Sequence, residues 1–530
     1  MKKFLSVLLS LIMLFSAFSL AAAAAVEAKK ADIPVIYLKG RNNRTIYKTD
    51  GTPASNAKEL DRLEYIGSVA GPVLEEFAKA YVTDDYSAWM DALVESIEPI
   101  YDDWRLDPDG TATKVGSKID WDPSTCSIKK KTSDYGIMDY VFYYDWRLSP
   151  FEVADQLDTY IERVCEVTGH KKVSIHARCL GANFAVAYIY NSYNGEYDHD
   201  FRVVNLALNT SALGGYISAG ALFSNKIVFD PDVIDQYANV YGSTAFDEPL
   251  YNTILTTMVS VLNMAKVLGF GTDALKEIYD KVGDELVPRI LMASYGGFPS
   301  YWSMISDKYY DEAKKAVFYN DELKETYAGL IERADNYHEK LGNRNEETGY
   351  TGYEQLLLDC EETYGMSTAI FAKYGRPFIP VIENSNITGD ARGTAEELSL
   401  GATCTTIDET FSAKYIAEAQ ARGTDKYISK DLTVDASTCL FPDKTWFAKN
   451  LKHDDWPEEF HNLAIDFFNS DGTLTVWDEA TFEQYVEYDA EGEFGEVTDT
   501  SNSGWTKNKF AILAKFIRMI FDVIIAIFTK

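Results

Sequence analysis

The stretch VSIHARCLGANFAVA, residues 173–187, decides how this chain is read. An extended apolar run breaks at Ala177-Arg178-Cys179-Leu180-Gly181 and resumes as a small-residue helix through Ala182 and Asn183. This is the pattern of a nucleophile elbow, a strained strand-to-helix turn that exposes one side chain, here with cysteine in the position usually held by serine. The turn packs the residues two before and two after the nucleophile against neighbouring backbone, so both must be small, and Ala177 and Gly181 are. The helix that starts behind Cys179 turns its N-terminus toward the thiol, and Arg178 stands beside it; both features favour a thiolate. Residue type alone points instead to a buried structural cysteine, and the elbow context overrides that expectation.

Outward from the elbow the pattern alternates strand and helix. Upstream, Ile33 to Leu38 is a short apolar strand ending in Lys39-Gly40-Arg41-Asn42, where a loop amide can approach the nucleophile. Apolar residues then recur at helical spacing from about Ser68 to Pro99, followed by a polar, aspartate-rich excursion through Lys131. Tyr140 to Tyr144 reads as a strand, Phe151 to Val167 as a helix stopped at Gly169, and Val203 to Leu208 as the strand after the elbow helix, closing on Gly214-Gly215. Such alternation predicts a mostly parallel sheet. Between 216 and 374 the pattern changes to helices rich in Tyr, Leu and Met, the composition of an inserted helical cap. Strand character returns at Arg376 to Ile382, a helix is expected near Phe411 to Arg422, and the last strand is read at Thr445 to Lys449. His176, in the strand before the elbow, is expected to be a packed core residue.

The two ends differ from the body. Lys2 and Lys3, the apolar run Phe4 to Leu20 and the alanines that follow have the order of a secretory leader, so the chain is expected to be secreted or held at the cell surface. The segment 506–530 is an amphipathic helix: Lys515, Arg518 and Asp522 share one narrow face, leaving Phe516, Ile520, Phe521 and Ile524 on the rest. Three fates fit it: docking on the body, self-association, or contact with a membrane. A formal charge of −32 excludes nucleic-acid binding through counterion release and disfavours docking on anionic lipid. Six cysteines without CxxC pairs indicate neither a zinc site nor a dense disulfide framework, and one or two disulfides stay open. Asn469 to Asp478 has a faint calcium-loop cast but is read as a plain turn. No cofactor and no metal are expected.

A cysteine relay in this topology needs nucleophile, acid and base in that chain order. Asp431, in a D-x-x-V-D-x-S-T segment, and His453, just past the last strand, supply it; Asp435 rivals Asp431 and His461 is second to His453. The Leu180 amide and an amide of Gly40 or Arg41 would hold the oxyanion.

The run Tyr144-Asp145-Trp146-Arg147-Leu148-Ser149-Pro150, followed by a helix and the elbow, resembles the lecithin:cholesterol acyltransferase family, whose members share a YDWRL-x-P stretch and a GHSxG elbow. Asn205 to Gly215 is similar to that family's strand and glycine turn, and Asp431 to Ser437 resembles the acid loop of lipases. The resemblance covers Tyr140 to Gly215 and weakly Lys430 to His453. It implies an α/β-hydrolase fold and acyl-ester chemistry on lipids, with the serine, aspartate and histidine roles carried onto Cys179, Asp431 and His453. The chain departs from the pattern at Cys179, at Arg178 for the elbow histidine and at Leu432 for the glycine after the acid. An earlier echo, Tyr101 to Pro108, lacks a following elbow and is read as a chance repeat.

The resulting expectation is an α/β-hydrolase fold, a mostly parallel sheet flanked by helices with a large helical cap insertion. Its parts are a leader at 1–25, a core at 30–215 and 375–468, a cap at 216–374, an acidic appendage at 469–505 and the helix at 506–530. The function expected is a secreted ester hydrolase or O-acyltransferase on a lipid-like acyl ester; the alternative is a catalytically silent protein that binds a ligand or a cell-surface polymer.

Overall fold

The computed structural model describes residues 33–41, 44–54, 62–130, 140–228, 272–377, 387–407, 409–478, 482–489 and 491–497. The leader, the C-terminal helix at 506–530 and part of the cap, 229–271, lie outside the described residues, as does most of the strand read at Arg376 to Ile382.

Eight strands form one sheet: β1 (Val35–Leu38), β2 (Tyr140–Phe142), β3 (Val173–Arg178), β4 (Val203–Asn209), β5 (Ser367–Tyr374), β6 (Thr445–Lys449), β7 (Tyr485–Tyr488) and β8 (Phe494–Glu496). Their order is β8-β7-β6-β5-β4-β3-β1-β2, parallel throughout except for the antiparallel edge pair β7 and β8. The protein is therefore an α/β fold built on a mostly parallel sheet with helices on both faces.

The sequence forms this sheet because its strands are apolar on both sides. Every residue of β1 and of β5 is buried, as a strand covered on two faces requires. Successive side chains point to opposite faces. Ile36, Leu38, Ile175, Ala177, Leu206 and Ile370 join one core with the helices Pro150–Thr168 and Gly181–Tyr193. Val35, Tyr37, Ala207, Phe371 and Trp446 join the other, under Phe460, Leu463 and Phe467 of the helix Glu458–Asn469. Each of the Val, Ile, Leu and Phe side chains among these contributes roughly 1.5–3 kcal/mol at full burial.

Three boundaries differ from expectation. The strand closing the cap is Ser367–Tyr374, inside the segment read as cap, while Arg376–Pro377, the described part of the strand read at Arg376 to Ile382, pairs with Thr388–Gly389 outside the main sheet. The expected acidic appendage at 469–505 contributes β7 and β8, so β6 is not the last strand. Glu496 lies exposed on the edge strand β8, and Glu487 on β7 pairs with Lys449; such acidic residues mask the strand pattern. All six cysteines are unpaired. Among the described residues no helix is long and apolar enough to cross a membrane.

The YDWRL stretch is structural. Asp145 and Arg147 form a buried ion pair, Nη2 to Oδ2 at 2.6 Å, and the guanidinium also donates to the Trp104 carbonyl at 2.9 Å and the Ser117 hydroxyl at 3.0 Å. Trp104 belongs to the earlier echo and packs edge-on against Trp146, ring centres 5.6 Å apart. The two DWRL stretches thus meet in space, which their separation along the chain conceals.

Candidate active site

Strand order reverses between β1 and β3, and their carboxyl ends lie side by side, Leu38 opposite Ala177. A reversal of this kind opens a crevice at the strand ends, where ligands bind in parallel α/β sheets. Cys179 stands there. Its φ of 52° is a strained left-handed conformation for a non-glycine residue, held by β3 before it and the helix Gly181–Tyr193 after it. Gly181 is required by the close approach of β1: a Cβ there would lie 2.7 Å from the Leu38 carbonyl oxygen. Gly40, on the loop after β1, sits over Cys179, and a Cβ on it would come within 3.0 Å of Cys179 Cβ and 3.5 Å of Sγ. The Leu180 amide falls at the helix start, where amides have no intrahelical acceptor. Cys179, Leu180 and the Gly40-Arg41 loop are brought together at one point, with Arg41 Nη1 donating to the Tyr301 hydroxyl of the cap at 2.8 Å.

His453 follows β6 and is buried, as is its partner. That partner is Asp390. Its Oδ2 lies 2.6 Å from His453 Nδ1, and the His453 amide donates to the Asp390 carbonyl at 3.1 Å. The other carboxylate oxygen, Oδ1, accepts from the amides of Arg392 and Gly393, each at 2.9 Å. With Nδ1 occupied by Asp390, Nε2 is the nitrogen left for the Cys179 thiol, with which the imidazole interacts through charge and hydrogen bonding.

The electrostatics favour a charged pair. Burial acts to raise the Cys179 pKa, but the His453 imidazole outweighs it, aided by Arg392 and the Tyr216 hydroxyl 3.7 Å from Sγ, and the thiol falls from 9.0 to about 7. Burial acts to lower His453, but the Asp390 carboxylate and Cys179 raise it to about 9. Asp390 stays below the ordinary carboxylate value despite burial, because His453, Lys373 and the Gly393 amide stabilise its charge. In the neutral range the proton of the pair therefore belongs on His453.

Arg178 does not serve as expected. Its guanidinium donates to the His453 carbonyl at 3.0 Å and pairs with Asp454 at 2.8 Å, so it braces the histidine turn, and Arg392 supplies the cationic charge that acts on the thiol.

The structure does not bring Asp431 to His453. Asp431 is buried elsewhere: Oδ1 accepts from Ser429 Oγ at 2.6 Å and Thr433 Oγ1 at 2.9 Å, and Oδ2 faces Lys449 Nζ at 3.1 Å. Asp435 accepts from the Ser437 amide and the Tyr415 hydroxyl, each at 2.8 Å. Neither aspartate is near the imidazole because the 429–437 loop folds back on a small two-stranded pairing, Val434–Asp435 with Thr403–Cys404. Asp390 was missed because no apolar run marks its loop; the signal available was Thr388-Gly389-Asp390-Ala391-Arg392-Gly393, an aspartate followed by a small residue and glycine, the composition of an Asx turn. His461 accepts from Trp456 Nε1 at 3.0 Å and takes no part. His176 packs among Tyr37, Trp456 and Phe468, and burial holds its pKa at about 3, so its ring is neutral.

Two further clusters are accounted for by protein contacts. Asp158, Glu162 and His199 bring ligand atoms within 4.8 Å of one another, but His199 Nε2 pairs with Asp158 at 2.7 Å and Arg202 reaches Glu162 at 3.4 Å. In the Asn469 to Asp478 turn, Asp478 accepts from the Thr475 amide at 2.6 Å and its hydroxyl at 2.9 Å. No family model, no curated protein and no solved structure matches this chain.

Proposed function

We propose that this chain is an α/β-hydrolase-fold enzyme that acts on a lipid-like acyl ester through a Cys179-His453-Asp390 relay, as a hydrolase or an O-acyltransferase outside the cell. The Cys179 thiolate attacks the ester carbonyl, and the negative charge that builds on its oxygen is met by the Leu180 amide and an amide of Gly40 or Arg41. The His453 imidazolium gives its proton to the departing alcohol, and an acyl thioester remains on Cys179. Water or a second alcohol, deprotonated by His453, then displaces the thiol. Asp390 keeps the proton on Nδ1 so that Nε2 faces the reaction. One site thus serves hydrolysis and transfer.

The observation that carries this reading is the pairing of a strained, helix-initiating Cys179 with a buried His453 whose other nitrogen is held by Asp390 at 2.6 Å. Cys179→Ala is expected to abolish turnover of short p-nitrophenyl esters, and iodoacetamide to label Cys179 ahead of the other five cysteines. Unchanged esterase activity in the alanine variant, with equal labelling of all accessible thiols, would sink the proposal. Cys179→Ser should keep measurable activity, since His453 and Asp390 remain in place.

A further inference from the structure

His453 lies on an irregular turn that is closed on itself by the Lys452 amide donating to Asp455 Oδ2 at 2.9 Å and the Asp455 amide donating to the Lys452 carbonyl at 3.1 Å, and Asp390 holds the ring at Nδ1. Three carbonyls there, those of Lys452, His453 and Asp455, turn inward toward one group, the Lys373 ammonium, at 2.9, 2.8 and 2.5 Å. Lys373 belongs to β5, beside β6, and is paired in register with Ala448 just before the turn. Its stem runs past the end of the sheet to place Nζ beneath the turn. An ammonium has three N–H donors and no acceptor, and here each donor meets one carbonyl.

The arrangement is costly. Lys373 is fully buried, and burying a cation without a carboxylate in direct contact is unfavourable. Around it stand Arg178, Asp390, Asp454 and Asp455, with the Trp456 ring 5.9 Å from Nζ. Burial, with Arg178 adding to it, acts to lower its pKa from the ordinary 10.5, while the carboxylates of Asp390, Asp455 and Asp454 oppose that shift, and three carbonyl acceptors around Nζ match the three donors of the charged form. An apolar residue would fit a two-face-buried strand better, but it would leave the Asp455 carbonyl without a donor and the Lys452 and His453 carbonyls with one each, the Asp455 amide at 3.1 Å and Arg178 at 3.0 Å. Arg178 braces the same turn from the other side, through the His453 carbonyl at 3.0 Å.

Resting on the relay assigned above, we propose that Lys373 is the positioning residue of the site: its ammonium gathers the 452–455 turn and so aims His453 Nε2 at Cys179. Lys373 touches neither the nucleophile nor the acyl group. Its effect is to hold the thiol–imidazole geometry, where a displacement of about 1 Å costs on the order of 10²-fold in rate.

The test is Lys373→Met, which keeps the length and volume of the stem and removes every donor. The pH dependence of Cys179 alkylation by iodoacetamide is read alongside kcat and KM for a p-nitrophenyl ester. The expected result is a kcat lower by on the order of 10²-fold, an unchanged KM and an alkylation midpoint moved from about 7 toward the ordinary 9, because the imidazolium no longer faces the thiol. A purely structural lysine would lower thermal stability and leave that midpoint in place, which overturns the proposal. If Lys373→Met does not fold, Lys373→Gln, with two donors and no charge, is judged by the same midpoint. Absence of ester turnover in the unmodified protein would refute the enzymatic reading alone, since the alkylation midpoint still decides the role of Lys373.

Discussion

Two loops each carry a buried aspartate beside a cationic side chain, and only one of those side chains faces Cys179. In the 387–394 loop, Asp390 meets His453 at 2.6 Å; in the 429–437 loop, Asp431 meets Lys449 at 3.1 Å. The partners are four residues apart, at the end of β6 and just beyond it. Both carboxylates have their second oxygen satisfied locally, Asp390 by two backbone amides and Asp431 by two hydroxyls. What separates them is the partner. Lys449 offers a charge that serves packing, whereas the imidazole of His453 carries the charge to a second nitrogen at the thiol. A buried aspartate after a strand is thus common to structural and chemical roles, and the group on its far side sets the difference.

The sharpest break of this comparison is at the acid. Asp390→Asn should lower kcat for ester turnover by on the order of 10²–10⁴ with the fold intact, because an amide stabilises the wrong imidazole tautomer. Steady-state kinetics on the purified variant check it. An Asp431→Asn variant with that loss, beside a near-normal Asp390→Asn, would reverse the assignment. In the expected case Asp431→Asn instead acts on stability: Lys449 keeps Glu487 at 3.6 Å as a carboxylate partner, so the cost is that of a weakened buried contact, and unfolding should become easier by about 1–3 kcal/mol. Thermal or urea unfolding reads that directly, with kcat within a few-fold of the starting protein.

A smaller effect sharpens the comparison through pH. With the thiol near 7 and the imidazole near 9, ester turnover should rise as pH passes about 7, where the thiolate forms, and fall above about 9, where His453 loses the proton it gives to the leaving alcohol. These two values belong to the coupled pair. In Asp390→Asn the upper limb should move to lower pH, because the carboxylate that raises His453 is gone; in Asp431→Asn both limbs should stay. Cys360 and Cys439, which burial pushes up to about 12, should stay unlabelled across this range. A profile that is flat between pH 6 and 10 would show that the pair does not govern the rate.

Much of the fold was legible because its signals are local. Thr445–Lys449 was read with its observed limits, and Val35–Leu38, Tyr140–Phe142, Val203–Asn209 and the helix Pro150–Thr168 lie within a few residues of their readings. Ser367–Tyr374 was hidden at the junction with the cap because its lysine, Lys373, interrupts the apolar run, and that lysine is explained only by three carbonyls from another strand's loop. β7 and β8 were hidden by acidic residues on a sheet edge.

Residue type at fixed spacing marked the elbow at Cys179, His453 after it in the chain just past a strand, and Gly40 as a loop residue near Cys179, because a strained turn tolerates few side chains. Folding in three dimensions set which aspartate meets His453, that Arg178 braces His453 while Arg392 acts on the thiol, and that the two DWRL stretches pack on each other. These are contacts between segments far apart in the chain. They depend on where loops of different strands come to rest at one end of the sheet, and aspartates in such loops look alike until the cation on their far side is in place.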